Sequence, residues 1–244
     1  KRQNISDIKY INRATKGVYE LGSVFKTFTL AAGLEENVID INTKFENLPK
    51  KLKCAGRSIS EYDMEIPSTL TAEQILIRSG NIGSIKIAQK IGLENFKKFL
   101  EDLDLINKTV FDIEEVGNPI SFKWGKCRLA TSSYGHGITT TPLQLAKAYA
   151  IIANGGYKIT PTLIKSKKPK KKGEQIISEK NSQKINQILR KIVTSDEGTA
   201  NLANIKGYEI AGKTGTAQKS IKGKYSKKKV NTFASIFPIS SPKY

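Results

Sequence analysis

Ser23 and Lys26 stand three positions apart at the start of a stretch, Ser23 to Leu34, whose apolar residues recur at helical spacing. Residues three apart share a helix face, so the hydroxyl and the amine can meet. A serine hydroxyl becomes a nucleophile only with a base in hydrogen-bond reach, and a neutral lysine serves when burial and a neighbouring cation lower its pKa. The unpaired N–H groups and positive dipole end of a helix start also favour negative charge developing on a nearby oxygen. Ser79-Gly80-Asn81 sets a hydroxyl beside a carboxamide, a proton relay plus a clamp for a substrate amide. In Lys213-Thr214-Gly215-Thr216, alternation along a strand puts Lys213 and Gly215 on one face, a cation followed by a gap where substrate can lie against the backbone. Taken singly, each motif reads more readily as an ordinary helix start, turn or edge strand.

The elements that must carry these groups follow from local pattern. Gly33 predicts the stop of the Ser23 helix. Thr71 with Gln74 forms a capping-box pattern, and the helix it opens breaks at Ser79-Gly80-Asn81. Helical spacing resumes over Ile82 to Ile91 and over Glu94 to Leu103. Thr141-Pro142 opens a further helix, which Asn154-Gly155-Gly156 closes. Ser182 to Val193 reads as helix, whereas Tyr208 to Gln218 and Val230 to Ile236 read as an antiparallel strand pair joined by a loop, Lys219 to Lys229. The motifs thus fall on a helix start, an interhelical loop and a strand, within an α+β chain having a helical body and a sheet from its later part.

At 244 residues, 38% hydrophobic and 26% charged, the chain can bury one core, and residues 1–244 read as one domain. No stretch reaches the ~18 apolar residues that would span a bilayer. Lys1 and the closing Pro238, Pro242 and Tyr244 read as the edges of an excised piece. The net charge of +19 comes mostly from dispersed lysine, densest in a loop at 165–174 and at Lys227, Lys228 and Lys229, and reads as a solvated face rather than a nucleic-acid surface. Two cysteines, Cys54 and Cys127, and one histidine, His136, exclude a zinc site or a disulfide framework. One bridge between them is conceivable in an oxidising compartment, but spacing cannot test it, and the pairing stays open.

The order Ser-x-x-Lys, Ser-x-Asn, Lys-Thr-Gly is the set shared by β-lactamases and penicillin-binding proteins, with Gly80 where the β-lactamase form has Asp. Tyr19-Glu20-Leu21-Gly22-Ser23-Val24-Phe25-Lys26 resembles the Tyr-Glu-Pro-Gly-Ser-x-Phe-Lys segment of class B penicillin-binding proteins, with Leu21 replacing Pro. Tyr134-Gly135-His136-Gly137, Gly198-Thr199-Ala200 and Ala211 to Lys219 extend the likeness along nearly the whole chain. Ile82-Gly83 and Ala234-Ser235-Ile236-Phe237-Pro238 look most like the septal, division-specific type, with the elongation type as competitor.

The resemblance implies a β-lactamase/transpeptidase-like fold, an antiparallel sheet flanked by helices with a helical subdomain, incomplete here at both ends. It implies Ser23 as acylated nucleophile, Lys26 as base, Ser79 as proton relay, Asn81 as the holder of a substrate amide and Lys213 as a source of positive charge. Thr214, Gly215 and Thr216 would line the substrate, with the N–H groups of Ser23 and Thr216 as oxyanion hole. The implied reaction is D,D-transpeptidation of peptidoglycan stem peptides, blocked by β-lactams and needing no metal or organic cofactor. A glycosyltransferase and other division proteins are the implied partners, and the periplasmic face of the bacterial inner membrane, reached through an upstream anchor, is the implied place. A serine β-lactamase, a D,D-carboxypeptidase or a non-catalytic β-lactam sensor would share these motifs. His136 reads as a structural loop residue, Trp124 and Tyr134 as packing or groove-lining residues, and Asp196 and Glu197 as solvated carboxylates pointing apart.

Overall fold

The computed structural model describes residues 10–165, 172–221 and 224–244. A 3-10 turn at Gly22–Phe25 runs directly into helix α1, Lys26–Glu35. All of α1 from Lys26 to Leu34 is buried, as its composition requires, because Phe28, Leu30, Ala31, Ala32 and Leu34 surround the axis instead of forming one stripe. Helices α2 (Ala72–Ile77), α3 (Asn81–Ile91), α4 (Leu93–Asp102) and α7 (Glu179–Thr194) pack around it. Gly33 is not the expected stop. The helix runs on to Glu35, and Asn37, at φ 55°, is the left-handed residue past its end. A Cβ at Gly33 would stand 2.8 Å from Ile39 Cδ1, so close packing accounts for that glycine.

The predicted capping box at Thr71 is present, and the expected Thr141 cap turns out to be a second one. Thr71 Oγ1 accepts from Gln74 N at the start of α2, and Thr141 Oγ1 from Gln144 N at the start of α6 (Pro142–Ala153), with the glutamine side chain returning to the cap backbone in each. Between α2 and α3 the chain turns through Ser79 at φ 59°, a sparsely populated conformation for a serine. Helix α7 starts earlier than expected, with Ser178 Oγ accepting from Asn181 N. Helix α5, Lys126–Ser132, was not legible in the sequence because its short Lys-Cys-Arg start has neither a side-chain cap nor a clear apolar period.

Strands β5 (Ala211–Ile221) and β6 (Lys224–Ile236) form an antiparallel ladder that pairs Lys213 with Ala234 and Thr216 with Asn231. The ladder extends through most of the expected loop, Ser220 facing Tyr225, because a ribbon solvated on both faces can be built from polar residues and so lacks the alternation that marks a half-buried strand. Among the described residues two further ladders occur, β1 (Lys44–Phe45) with β4 (Leu70–Thr71), and β2 (Lys51–Cys54) with β3 (Arg57–Ser60). Ala55 and Gly56, both at positive φ, join β2 to β3 in a two-residue turn.

Cys54 and Cys127 are joined in a disulfide, Cα to Cα 5.6 Å, a pairing that the sequence left open. Both β3 and α5 lie against α3, and this packing brings together cysteines 73 residues apart, a proximity that spacing cannot encode. Most of the Lys-rich loop expected at 165–174 lies outside the described residues; at its far end the Lys172 ammonium sits 4.1 Å over the Tyr157 ring. Among the described residues no helix is long and apolar enough to cross a membrane.

Candidate active site

Two lysines that belong to different elements are buried together. Lys26, at the start of α1, is 2% exposed, and Lys213, on β5, is 0% exposed. The amine of Lys26 donates to the backbone oxygen of Ser79 and to its Oγ, the latter at 3.1 Å; Lys213 Nζ donates to the same Oγ at 2.9 Å. Neither amine keeps its ordinary basicity. Burial, then the charge of Lys213, holds Lys26 well below the usual lysine range against an opposing pull from Glu61, while burial alone brings Lys213 down to about 7. Ser79 Oγ accepts from both amines, which leaves its own proton free for a third partner.

Ser23 sits on the 3-10 turn beside β5. A Cβ on Gly22, at φ 67°, would lie 2.4 Å from the Thr216 carbonyl oxygen and 3.0 Å from Thr216 N, so the turn carrying Ser23 and the strand carrying Thr216 are in backbone contact. On the other side, a Cβ on Gly135, at φ 83°, would lie 1.9 Å from the Gly22 oxygen. Only glycine permits this three-layer approach at positive φ. The bare face of Gly215 is filled by Leu21 and Val24, since a Cβ there would stand 2.3 Å from Leu21 O; protein packing, rather than a gap for substrate, requires that glycine.

Ser23, Ser79, Asn81, Thr214, Gly215 and Thr216 all line one cleft of about 730 Å³, roomy enough for a peptide tail. Lys26 and Lys213 are buried behind Ser79. A second groove of about 780 Å³, between α6 and β6, is lined by residues such as Leu145, Tyr149, Phe233 and Ile236 and holds none of the motif residues. Thr214 Oγ1 lies 2.9 Å from Thr199 Oγ1, which also lines the cleft and brings the Gly198-Thr199-Ala200 segment to the site.

Asn81 opens α3 with its carboxamide anchored, Nδ2 donating to Ser60 O at 2.8 Å. Beside it lies a residue that no sequence motif marks. Glu61, 7% exposed, accepts the backbone N–H of Asn81 at 2.6 Å and of Ile82 at 2.8 Å. A lone glutamate after a polar strand has no spacing signature, and only the fold shows what it holds. Glu197, expected to be solvated, instead pairs with Arg78 at 3.3 Å, and Arg78 pairs with Asp63 at 3.3 Å, forming a charged rim. His136 belongs to the loop against Gly22, as its glycine neighbours suggested, but it also lines the cleft. Its ring lies between Tyr134 and Tyr225, with Nδ1 3.6 Å from Glu20 Oε2. Tyr134 lines the cleft, whereas Trp124 packs on Phe122.

Helices packed around α1, with an antiparallel ladder laid against the Ser23 turn, define the α+β class of serine-and-lysine acyl-transfer folds. The model of the penicillin-binding protein transpeptidase domain matches residues 1–244. The chain is 30% identical over 244 residues to the "Probable peptidoglycan D,D-transpeptidase FtsI" of Caulobacter vibrioides, covering 97% of this chain and 41% of that protein. It is 34% identical over 223 residues to "Stage V sporulation protein D" of Bacillus subtilis, covering 85% and 34%. Among solved structures, the apo transpeptidase domain of Burkholderia pseudomallei penicillin-binding protein 3 superposes with a TM-score of 0.87 at 28% identity, over 95% of this chain and 70% of that one. Penicillin-binding protein 3 of Mycobacterium tuberculosis, complexed with aztreonam, gives 0.86 at 25% identity, over 99% and 59%. The chain therefore belongs to the penicillin-binding protein transpeptidase domain family, and it spans 41% and 34% of the length of the two curated relatives.

Proposed function

We propose that the protein carrying this chain is a serine D,D-transpeptidase that cross-links peptidoglycan stem peptides, with Ser23 as the acylated nucleophile. The observation that carries this reading is the pair of buried amines on Ser79 Oγ, one of which, Lys26, stands one helical turn from Ser23. In neutral form Lys26 has two N–H bonds, and both are engaged by Ser79; its lone pair is left to take the Ser23 proton. Ser23 Oγ then attacks the carbonyl between the two terminal D-Ala residues of a donor stem. The Thr216 N–H, held beside Gly22, and the Ser23 N–H would stabilise the resulting oxyanion.

Ser79 Oγ, fed by Lys26 and Lys213, would pass a proton to the leaving amine as the C–N bond breaks, which releases D-Ala and leaves an ester on Ser23. An amine of a second stem attacks that ester, forms the cross-link and restores the hydroxyl. Asn81 would hold the substrate's side-chain amide. Thr214 and Thr216 are the groups we assign to the terminal carboxylate, with Lys213 supplying positive charge behind them.

By analogy with the division-type name of the Caulobacter relative, septal cell-wall synthesis at the periplasmic face of the inner membrane is the setting we favour, with a glycosyltransferase and other division proteins as partners. A fluorescent penicillin should label the full-length protein persistently, and Ser23→Ala should abolish the label. Release of the drug within seconds would show a hydrolase instead, and unchanged labelling of the alanine variant would overturn the site assignment.

A further inference from the structure

Glu61 sits directly after β3, nearly buried, at the mouth of α3. Its two carboxylate oxygens take separate partners, Oε2 the N–H of Asn81 and Oε1 the N–H of Ile82. Gly80 is the N-cap of α3 and has no side chain to fill that role, so Glu61 reaches in from a distant segment to satisfy the orphan donors of the first turn. The preceding residue contributes as well, since Ser60 O accepts from Asn81 Nδ2. With Nδ2 committed to Ser60, the other carboxamide atom, Oδ1, is the one free to accept from a substrate N–H. The end of the β2–β3 hairpin therefore fixes both the backbone and the amide orientation of the second motif, and Ser79, one residue before the cap, is carried with it.

The same carboxylate also acts on one of the two buried amines, Lys26. Lys213 on β5 works against a proton on Lys26, and Glu61 works in its favour. The other charges on this side, Arg78 with Asp63 and Glu197, pair among themselves at the rim. We propose that Glu61 is a positioning residue of the acyl-transfer site, holding Ser79 and Asn81 in place through the first turn of α3. This rests on the transpeptidase reading above.

The test compares wild type, Glu61→Gln and Glu61→Asp in the full-length protein, measuring penicillin acylation against pH together with thermal melting and amide hydrogen exchange. Loss of the charge removes a pull that raises the Lys26 pKa, so the ascending limb of the pH profile should move to lower pH in Glu61→Gln. Its plateau rate should fall at least tenfold, and protection at Asn81 and Ile82 should drop. Glu61→Asp keeps the charge but is one methylene short, so its limb should stay in place while its plateau falls severalfold. A natively melting Glu61→Gln with wild-type plateau and limb would overturn the proposal. If that variant does not fold, an unchanged plateau in Glu61→Asp would overturn it, and a lowered plateau at an unmoved limb would support it. Failure of wild type itself to label would strike the transpeptidase reading, whereas the hydrogen-exchange result would still report on Glu61.

Discussion

A buried lysine is an expensive residue to keep, and this chain keeps two side by side, both with their basicity lowered by burial. Lys213 titrates near 7 in the folded protein and at the ordinary 10.5 once exposed. Below pH 7 both states hold its proton. Between 7 and 10.5 the folded state has released it and the unfolded state has not, so the unfolded state binds more protons and stability rises with pH. Tyr134, pushed up to about 12 by burial, and Tyr149 and Tyr225, raised as well, act in the opposite direction above pH 10, where only the unfolded tyrosines ionise. Chemical denaturation across pH should therefore show stability climbing from 7 toward 10 and then declining. Lys213→Met should flatten the climb, and an equally steep climb in that variant would contradict the assignment. The acylation rate should also fall steeply in Lys213→Met, since Ser79 loses one of its two amine partners.

Among the elements, the turn carrying Ser23 is held between β5 and the loop at Gly135, and the glycines at these contacts differ sharply in tolerance. Gly135→Ala would place a methyl 1.9 Å from the Gly22 oxygen at a φ that disfavours any side chain, and should lower acylation at least tenfold by displacing the turn. Gly80→Ala puts its methyl 3.2 Å from a flexible Ile66 Cδ1 at an ordinary φ, and acylation should stay within about threefold of wild type. Comparable rates for the two variants would show that the Gly22 contact does not govern Ser23. The caps work at the same scale. Thr141→Ala should destabilise the protein by about 1 kcal/mol in thermal or chemical unfolding, through loss of the hydrogen bond to Gln144 N.

Across the whole molecule, the Cys54–Cys127 bridge joins the β2–β3 hairpin to α5 over 73 residues of chain. Loop-closure entropy on that span is worth about 4 kcal/mol in a chain-entropy description, with measured losses on removing such bridges commonly about 2–5 kcal/mol. A Cys54→Ser/Cys127→Ser double variant should lose stability in that range by denaturant unfolding. Because the same hairpin ends in Ser60 and Glu61, which grip Asn81, acylation should fall in the folded double variant too. Wild-type acylation there would show that the hairpin holds its place without the bridge.

Local chemistry is where the sequence was most informative. Thr71 with Gln74 and Thr141 with Pro142 specified two helix starts, and Ser79-Gly80-Asn81 specified a turn, because capping and turn formation involve only near neighbours. The motif order Ser23, Lys26, Ser79, Asn81, Lys213 was enough to point to the family. Long-range packing alone decided that Cys54 meets Cys127, that Glu197 meets Arg78, and that a glutamate from the end of β3 caps α3. The depressed basicity of Lys26 belongs to the same group, since burial and the approach of Lys213 from 187 positions away both arise only when β5 packs against the Ser23 turn. The lysine one helical turn from Ser23 lies in that dry interior, where a charge loses its water and the amine holds its proton less tightly.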